Sequence, residues 1–366
     1  MVTKWEKEGP DALPAVALNP DGPGGLTDVG FARTAETSSA VDLNGGDCSL
    51  MTLAPRPLAP YEAMPLPMLD EQQLERIVQH HGLRLDGPII PLHSSGVVHS
   101  LWALGSQLVL RVPKNEPMSL GDHRCESVAI PLALRAGVRT PDLMVFDDSL
   151  TILDVPYSIV ERIDGHDLAA APFEHPAFED VGRELATLHA ADLTSGRHPW
   201  LRDTSDLPAE AHFDEVVDAG LLHKDGINSL RSLCERLDSI IANGPAAPEV
   251  FIHGDVKPDN VMVDRMGRTQ LIDWGDAGFG DPAHDFQSLP MKSIERTLNG
   301  YRSVNGDDPT LEARIVRRVV ARSLSNLRRT PLAGPSWYRP IAANLTDLLT
   351  FATDRRTVWD VWTHRH

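Results

Sequence analysis

The chain has 366 residues and a mass of 40.1 kDa, enough for two modest domains or one bilobal unit with a core in each lobe. Asp and Glu number 52 against 34 Lys and Arg, a formal charge of −18 that disfavours nucleic acid and anionic membranes and favours a cationic partner, although acidity also serves solubility alone. The three cysteines form no C-x-x-C pair, which suits a reducing cytoplasm better than a disulfide framework, and no apolar run approaches the roughly 18 residues needed to cross a bilayer.

Residues 1 to 68 are expected to be a tail: Pro and Gly recur (Gly9-Pro10, Gly22-Pro23-Gly24-Gly25, Pro55, Pro57, Pro60) and apolar periodicity is not sustained. Compact structure is expected from Leu69, with Asp70 capping a helix whose Leu74, Ile77 and Val78 share one face before Gly82. Strands follow at Gly96–Leu104 and Gln107–Val112, joined at Gly105-Ser106, and helical spacing runs from Leu120 to Gly137. Pro131 is expected to break or kink that helix. Leu143–Phe146 and Pro156–Arg162 read as further strands. After Gly165 the pattern turns helical: Val181, Leu185, Leu188 and His189 mark one amphipathic helix, Val216–Ala242 a region interrupted near Gly226, and Arg314–Leu327 and Ile341–Phe351 later helices.

The informative stretch is Ile252-His253-Gly254-Asp255-Val256-Lys257-Pro258-Asp259-Asn260, followed by Ile272-Asp273-Trp274-Gly275-Asp276. Phosphoryl transfer needs a group to orient the attacking hydroxyl, oxygen ligands for Mg²⁺, and positive charge on the phosphates. Asp255 followed five positions later by Asn260 has the spacing of a kinase catalytic loop, in which the Asp accepts the hydroxyl proton and the Asn ligates metal. A hairpin of strand Val261–Val263, turn Asp264–Arg268 and strand Thr269–Ile272 would bring Asp273 back beside Asn260, two oxygen ligands for one hard cation.

His253-Gly254-Asp255 to Asn260, then Ile272-Asp273-Trp274, then Gly280-Asp281-Pro282 and Asp285, resembles the pattern of the aminoglycoside phosphotransferase and choline kinase-like families, from about Leu69 to the C-terminus. The resemblance implies an α+β, protein kinase-like bilobal fold: a strand-rich nucleotide-binding lobe with its hinge over 69–163, and a mostly helical catalytic and acceptor-binding lobe over 164–366. It implies Asp255 as the catalytic residue, Asn260 and Asp273 as Mg²⁺ ligands, and His253 as a support of the loop. Lys257 either reaches a phosphate or faces solvent; Asp276 and Asp285 read as loop-fixing and helix-capping groups.

A kinase-like site also needs a cation on the third strand, paired with a helix carboxylate. The period of two puts Val109 and Arg111 on one face, where Val109 would touch the base and Arg111 the phosphates. Lys114 competes for that role, and Glu126 is the expected partner of Arg111. The hinge resembles Ser158–Gly165, with the Glu161 carbonyl and the Ile163 amide facing the base of ATP or GTP; Ser94-Ser95-Gly96 stands for the phosphate loop, with amides near Ser95 as the cradle. A protein kinase is excluded by the 12 positions from Asp273 to Asp285, too few for a peptide-docking segment. The remaining alternatives are a non-catalytic nucleotide-binding regulator and, among acceptors, aminoglycosides, macrolides, peptide antibiotics or choline-like alcohols.

Overall fold

The computed structural model describes residues 65–92, 98–204, 210–218, 224–327 and 348. In chain order the elements are α1 (Glu71–His80), β1 (Ile89–Leu92), β2 (His99–Leu104), β3 (Leu108–Pro113), α2 (Pro117–Ala136), β4 (Leu143–Asp147), β5 (Tyr157–Glu161), β6 (Gly165–Asp167), α3 (Ala177–Ala190), β7 (Arg202–Asp203), α4 (Glu210–Asp218), α5 (Lys224–Ala242), β8 (Val250–Ile252), β9 (Val261–Asp264), β10 (Thr269–Leu271), β11 (Gly278–Gly280), α6 (Met291–Asn305) and α7 (Leu311–Leu327).

α1 begins where its sequence provides a reciprocal cap: Asp70 Oδ1 accepts from the Gln73 amide at 2.7 Å while Gln73 Oε1 accepts from the Asp70 amide at 3.0 Å. α2 starts three residues earlier than expected, with Pro117 in its first turn, and runs unbroken through Pro131 to Gly137, whose φ of 86° closes it. The expected break at Pro131 is therefore absent. Buried Cys125, Ala129, Ile130, Leu132 and Ala133 hold the helix against the core, and that packing outweighs the one backbone hydrogen bond a proline removes. The helical region expected from Val216 to Ala242 with an interruption near Gly226 is divided between two helices, α4 ending at Asp218 and α5 beginning at Lys224, two residues before Gly226. Of the helix expected over Ile341–Phe351, only Leu348 is among the described residues; it is helical and buried.

The first five strands form an antiparallel sheet in the order β1-β2-β3-β5-β4. β1 was not expected, because Pro91 interrupts its apolar run; a proline is tolerated there because β1 is the edge strand. Leu101 lies opposite Arg111 and Val109 opposite Val160, so β3 is central and its side chains are enclosed. Ile77, Trp102, Leu104, Leu110, Tyr157 and Ile159 build the core of this lobe.

Two small three-stranded sheets, β10-β9-β6 and β7-β11-β8, carry the motif block, and the helices pack behind them. α3 and α6 cross at very close range. A Cβ on Gly182 would meet the Thr297 carbonyl oxygen at 1.9 Å, and one on Gly300 the Glu179 carbonyl oxygen at 1.9 Å, so both helices need glycine at the crossing. Where the two lobes meet, Leu101, Val109, Val160 and Ile163 from the first join Met262 and Ile272 from the β9–β10 hairpin in one apolar cluster.

Candidate active site

β8 delivers the chain into the loop that carries His253, Gly254 and Asp255. Gly254 has a φ of 86°, and a Cβ there would come within 2.0 Å of the Asp276 carbonyl oxygen, so the turn requires glycine on both counts. His253 is wholly buried: Nε2 donates to the Ile272 carbonyl at 3.0 Å and Nδ1 accepts from the Asp255 amide at 3.3 Å. The imidazole thus fixes one end of the loop to the strand that carries Asp273.

The other fixing group is Asp285. It does not cap a helix, as expected from its position, but lies inside a short 3₁₀ segment, Pro282–Phe286, that Asp281 caps. Its buried carboxylate accepts from the amides of His253 (2.9 Å) and Gly254 (2.7 Å), and His189 Nε2 lies 3.0 Å away. Burial alone would raise this carboxyl, but the bonds from His189 and the loop amides outweigh it and leave it below the usual carboxylate range.

Asp255 sits at the centre. Lys257 and Asn260 Nδ2 (3.3 Å) bond its Oδ2, while Arg322 Nη2 (3.1 Å) and Ser288 Oγ (3.4 Å) reach its Oδ1. Burial pushes its carboxyl up, Lys257 and Arg322 pull it down more strongly, and the net position is below the ordinary value. Lys257 therefore binds the carboxylate; burial opposes its charge, but Asp255 outweighs burial and holds the ammonium above its usual range.

Asn260 also donates from Nδ2 to the Asp255 carbonyl at 2.9 Å, which leaves its side-chain oxygen as the end able to ligate a metal. The hairpin expected after it is present, with Val261 opposite Leu271, and the Ile272 amide bonds the Asn260 carbonyl at 3.0 Å. Asp273 follows with a φ of 70°, a left-handed conformation that aspartate tolerates better than bulkier residues. Burial and then the charge of Glu126 push its carboxyl up, against partial relief from Arg111 and Lys257. A divalent cation between Asn260 and Asp273 would answer that unfavourable charge, so the donor set fits Mg²⁺. Asp276 is exposed beside them.

Across the lobe junction Arg111 and Glu126 form a close ion pair, both almost fully buried: Nη2 donates to Oε1 at 2.8 Å and Nη1 lies 2.5 Å from Oε2. Arg111 Nε is buried with no partner among the described residues, an orphan donor that fits a phosphate oxygen. Lys114, also buried, lies past the end of β3. The neighbour of Glu126, Cys125, donates to the carbonyls of Trp274 and Ala277 at 3.4 and 3.3 Å, so one turn of α2 grips both Arg111 and the loop after Asp273. Val109 is in the apolar cluster at the lobe junction, with Ile163 beside it, and Glu161 ends β5 with its side chain exposed. A cavity of about 210 Å³ borders Glu161 and Ile163, lined also by Asp164, Asp264 and Arg268. Ser95 lies outside the described residues.

Ser288 and Arg322 were not anticipated. Ser288 carries no local motif. Arg322 continues a spacing of four from Arg314 and Arg318 on α7, a basic stripe visible in the sequence; Arg314 bonds Asp281 at 3.0 Å and Arg318 lies 3.6 Å from it.

A strand-rich lobe and a helical lobe meeting at Asp255, Asn260, Asp273 and the Arg111–Glu126 pair define a kinase-like bilobal fold of the kind that serves small-molecule phosphotransferases. The model of the phosphotransferase enzyme family (APH) matches residues 92–317, and the chain belongs to that family. It is 28% identical over 188 residues to viomycin phosphotransferase of Streptomyces vinaceus, covering 48% of this chain and 64% of that one, and 29% identical over 167 residues to hygromycin-B 4-O-kinase of Escherichia coli, covering 40% and 45%. The matched part thus spans less than two thirds of either relative. Among solved structures, the GDP complex of aminoglycoside 2'-phosphotransferase-IIIa aligns with a TM-score of 0.59 at 16% identity (76% of this chain, 98% of that), and a choline/ethanolamine kinase family protein from Mesorhizobium loti with 0.55 at 17% (80% and 97%). These likenesses show the shared fold.

Proposed function

We propose that the chain is an O-phosphotransferase that moves the γ-phosphoryl group of ATP or GTP onto a hydroxyl of a small, antibiotic-like molecule. The observation that carries this reading is the meeting of Asp255 with Asn260 and Asp273 opposite the buried Arg111–Glu126 pair.

Asp255 would orient the acceptor hydroxyl and take its proton as the new O–P bond forms and the bond from the γ-phosphorus to the β,γ-bridging oxygen breaks. Asn260 and Asp273 would hold Mg²⁺, which neutralises charge developing on the phosphate oxygens. Arg111 would bind α- and β-phosphate oxygens, fixed in aim by Glu126; Val109 would line the base, and the Glu161 carbonyl and Ile163 amide would read its edge. Ser95, which precedes β2 in the sequence, is proposed to cradle phosphate with its amide. His253 positions the loop, and Lys257, if released from Asp255, would be free to bind the transferring group.

The names of the relatives support a hydroxylated antibiotic as acceptor, and the charge of −18 supports a cationic one. Arg322 favours a second reading. A guanidinium 3.1 Å from Asp255 repels positive charge next to the reacting hydroxyl, so the acceptor would turn a neutral face toward it. A panel of hydroxylated aminoglycosides, peptide antibiotics and macrolides, assayed with γ-labelled nucleotide and Mg²⁺, tests the proposal. Label should reach at least one acceptor and be lost in Asp255→Asn. If no acceptor is labelled while nucleotide still binds, the chain is a regulator instead.

A further inference from the structure

Away from the catalytic loop, His80, His81 and Asp147 bring three ligand atoms together on the strand-rich lobe, all within 4.8 Å of one another. Nε2 of His81 lies 3.4 Å from Asp147 Oδ2, and Nε2 of His80 3.8 Å from it. A tetrahedral zinc ion with ligand bonds of about 2.0–2.2 Å places neighbouring ligand atoms roughly 3.3–3.6 Å apart, so the His81–Asp147 edge already has that length. His80, half exposed at 52%, needs only a small side-chain rotation to match it.

The chain builds this arrangement deliberately. Consecutive residues of a helix point in divergent directions, but His80 is the last residue of α1 and His81 its cap, with φ −91° and ψ 4°; their rings stand 4.8 Å apart, edge to face. Asp147 closes β4 and is held in place by the Ser149 amide on Oδ1 (2.9 Å) and the Tyr157 hydroxyl on Oδ2 (2.7 Å), the kind of outer support that fixes metal ligands. The Tyr157 hydroxyl also lies 2.9 Å from His81 Nε2. Ligation requires His81 to carry its proton on Nδ1, freeing the Nε2 lone pair, while the tyrosine keeps its bond to Asp147.

We propose that His80, His81 and Asp147 form a binding site for a divalent transition-metal ion of the zinc class, tying the end of α1 to the end of β4. Two imidazoles and one carboxylate suit such an ion and not the hard Mg²⁺, which takes oxygen ligands, so this site and the catalytic one select different metals. A second imidazole-carboxylate group among the described residues, His99, His123 and Glu126, is a poorer host: Glu126 is already ion-paired with Arg111, and that guanidinium would face the incoming dication.

The test uses the full chain, stripped with a chelator and titrated with Zn²⁺ by calorimetry and with Co²⁺ by visible absorption, in excess Mg²⁺. Wild type should bind one ion at this site with the intense ligand-field bands of four-coordinate Co²⁺. His80→Ala should weaken binding at least about tenfold, and His80→Asp, which restores a ligand, should recover part of it. At a hundredfold excess over its Kd, Zn²⁺ should raise the thermal midpoint of wild type by on the order of 5 °C and, at the same concentration, that of His80→Ala by about half as much or less. Because His80 is exposed, the metal-free midpoints of the two proteins should agree, which separates ligation from folding. Absence of Zn²⁺ and Co²⁺ binding, or unchanged affinity in His80→Ala, would overturn the site.

Discussion

Asp285 fastens the loop of His253 and Gly254 to α3: its carboxylate, shut away from water, bonds two loop amides and the His189 imidazole. Replacing it with Asn should lower stability by about 3 kcal/mol, because two amides and His189 lose a charged acceptor. Its folded pKa lies below its unfolded value, so its contribution is complete above the ordinary aspartate pKa of about 3.9 and is lost as pH falls through the lower folded value. Urea midpoints followed from neutral pH downward should therefore fall less steeply at the acid end for Asp285→Asn than for wild type; parallel curves would refute this account. Asp255→Asn is expected to behave differently, cutting kcat at least about 10²-fold while nucleotide affinity stays within a few fold, as measured by labelled turnover and nucleotide titration. The grouping of Asp255, Asn260 and Asp273, proposed here as the reacting centre, could be read in the sequence because one chemistry demands those side chains at that spacing. Arg322 was not: 67 positions beyond Asp255, it reaches Oδ1 only through the rotation of α7, which local sequence does not encode. Arg322→Gln turns it into a discriminator: a cationic acceptor should show a lower KM in the variant, and a neutral one should not.

At the scale of elements, helices with an apolar face and a capping residue were readable in outline, α1 down to its reciprocal cap. Features decided by tertiary contact were not. Pro131 was expected to break or kink α2, and the helix is not broken there, since a buried face holds it on both sides of the proline, and β1 was hidden by Pro91, which an edge position permits. The tight crossing of α3 and α6 is another such feature, because Gly182 and Gly300 reveal their purpose only when opposed. Gly182→Ala should destabilise the protein by about 2 kcal/mol or more despite the better helix propensity of alanine, since its Cβ would overlap the Thr297 carbonyl. Denaturant unfolding checks this, and a stabilised variant would show that the two helices can separate freely.

For the molecule as a whole, the order of strand and helix patterns showed only that strands come first and helices later; the bilobal α+β architecture was implied by the family resemblance, while the junction cluster depended on how separate segments of the chain meet. Residues 1 to 64, Pro- and Gly-rich and short of periodic apolar side chains, should be dispensable: their deletion should leave thermal midpoint and turnover unchanged, and a large loss of either would refute it. The cut belongs before Pro67, whose carbonyl accepts from the Ser100 hydroxyl at 2.6 Å.

Cys125 turns the grip of α2 into something that can be timed. Burial, reinforced by the neighbouring Glu126, pushes its thiol up to about 12, so at neutral pH almost none is thiolate and an alkylating reagent finds nothing to attack. Labelling requires the sulfur to leave the carbonyls of Trp274 and Ala277, a motion that also loosens the strap behind Asp273 from the helix that aims Arg111. The alkylation rate of this one residue, read by mass spectrometry, is thus a clock for excursions in which the halves proposed to bind phosphate and metal come apart. If ligands hold the halves together, nucleotide with Mg²⁺ should slow it.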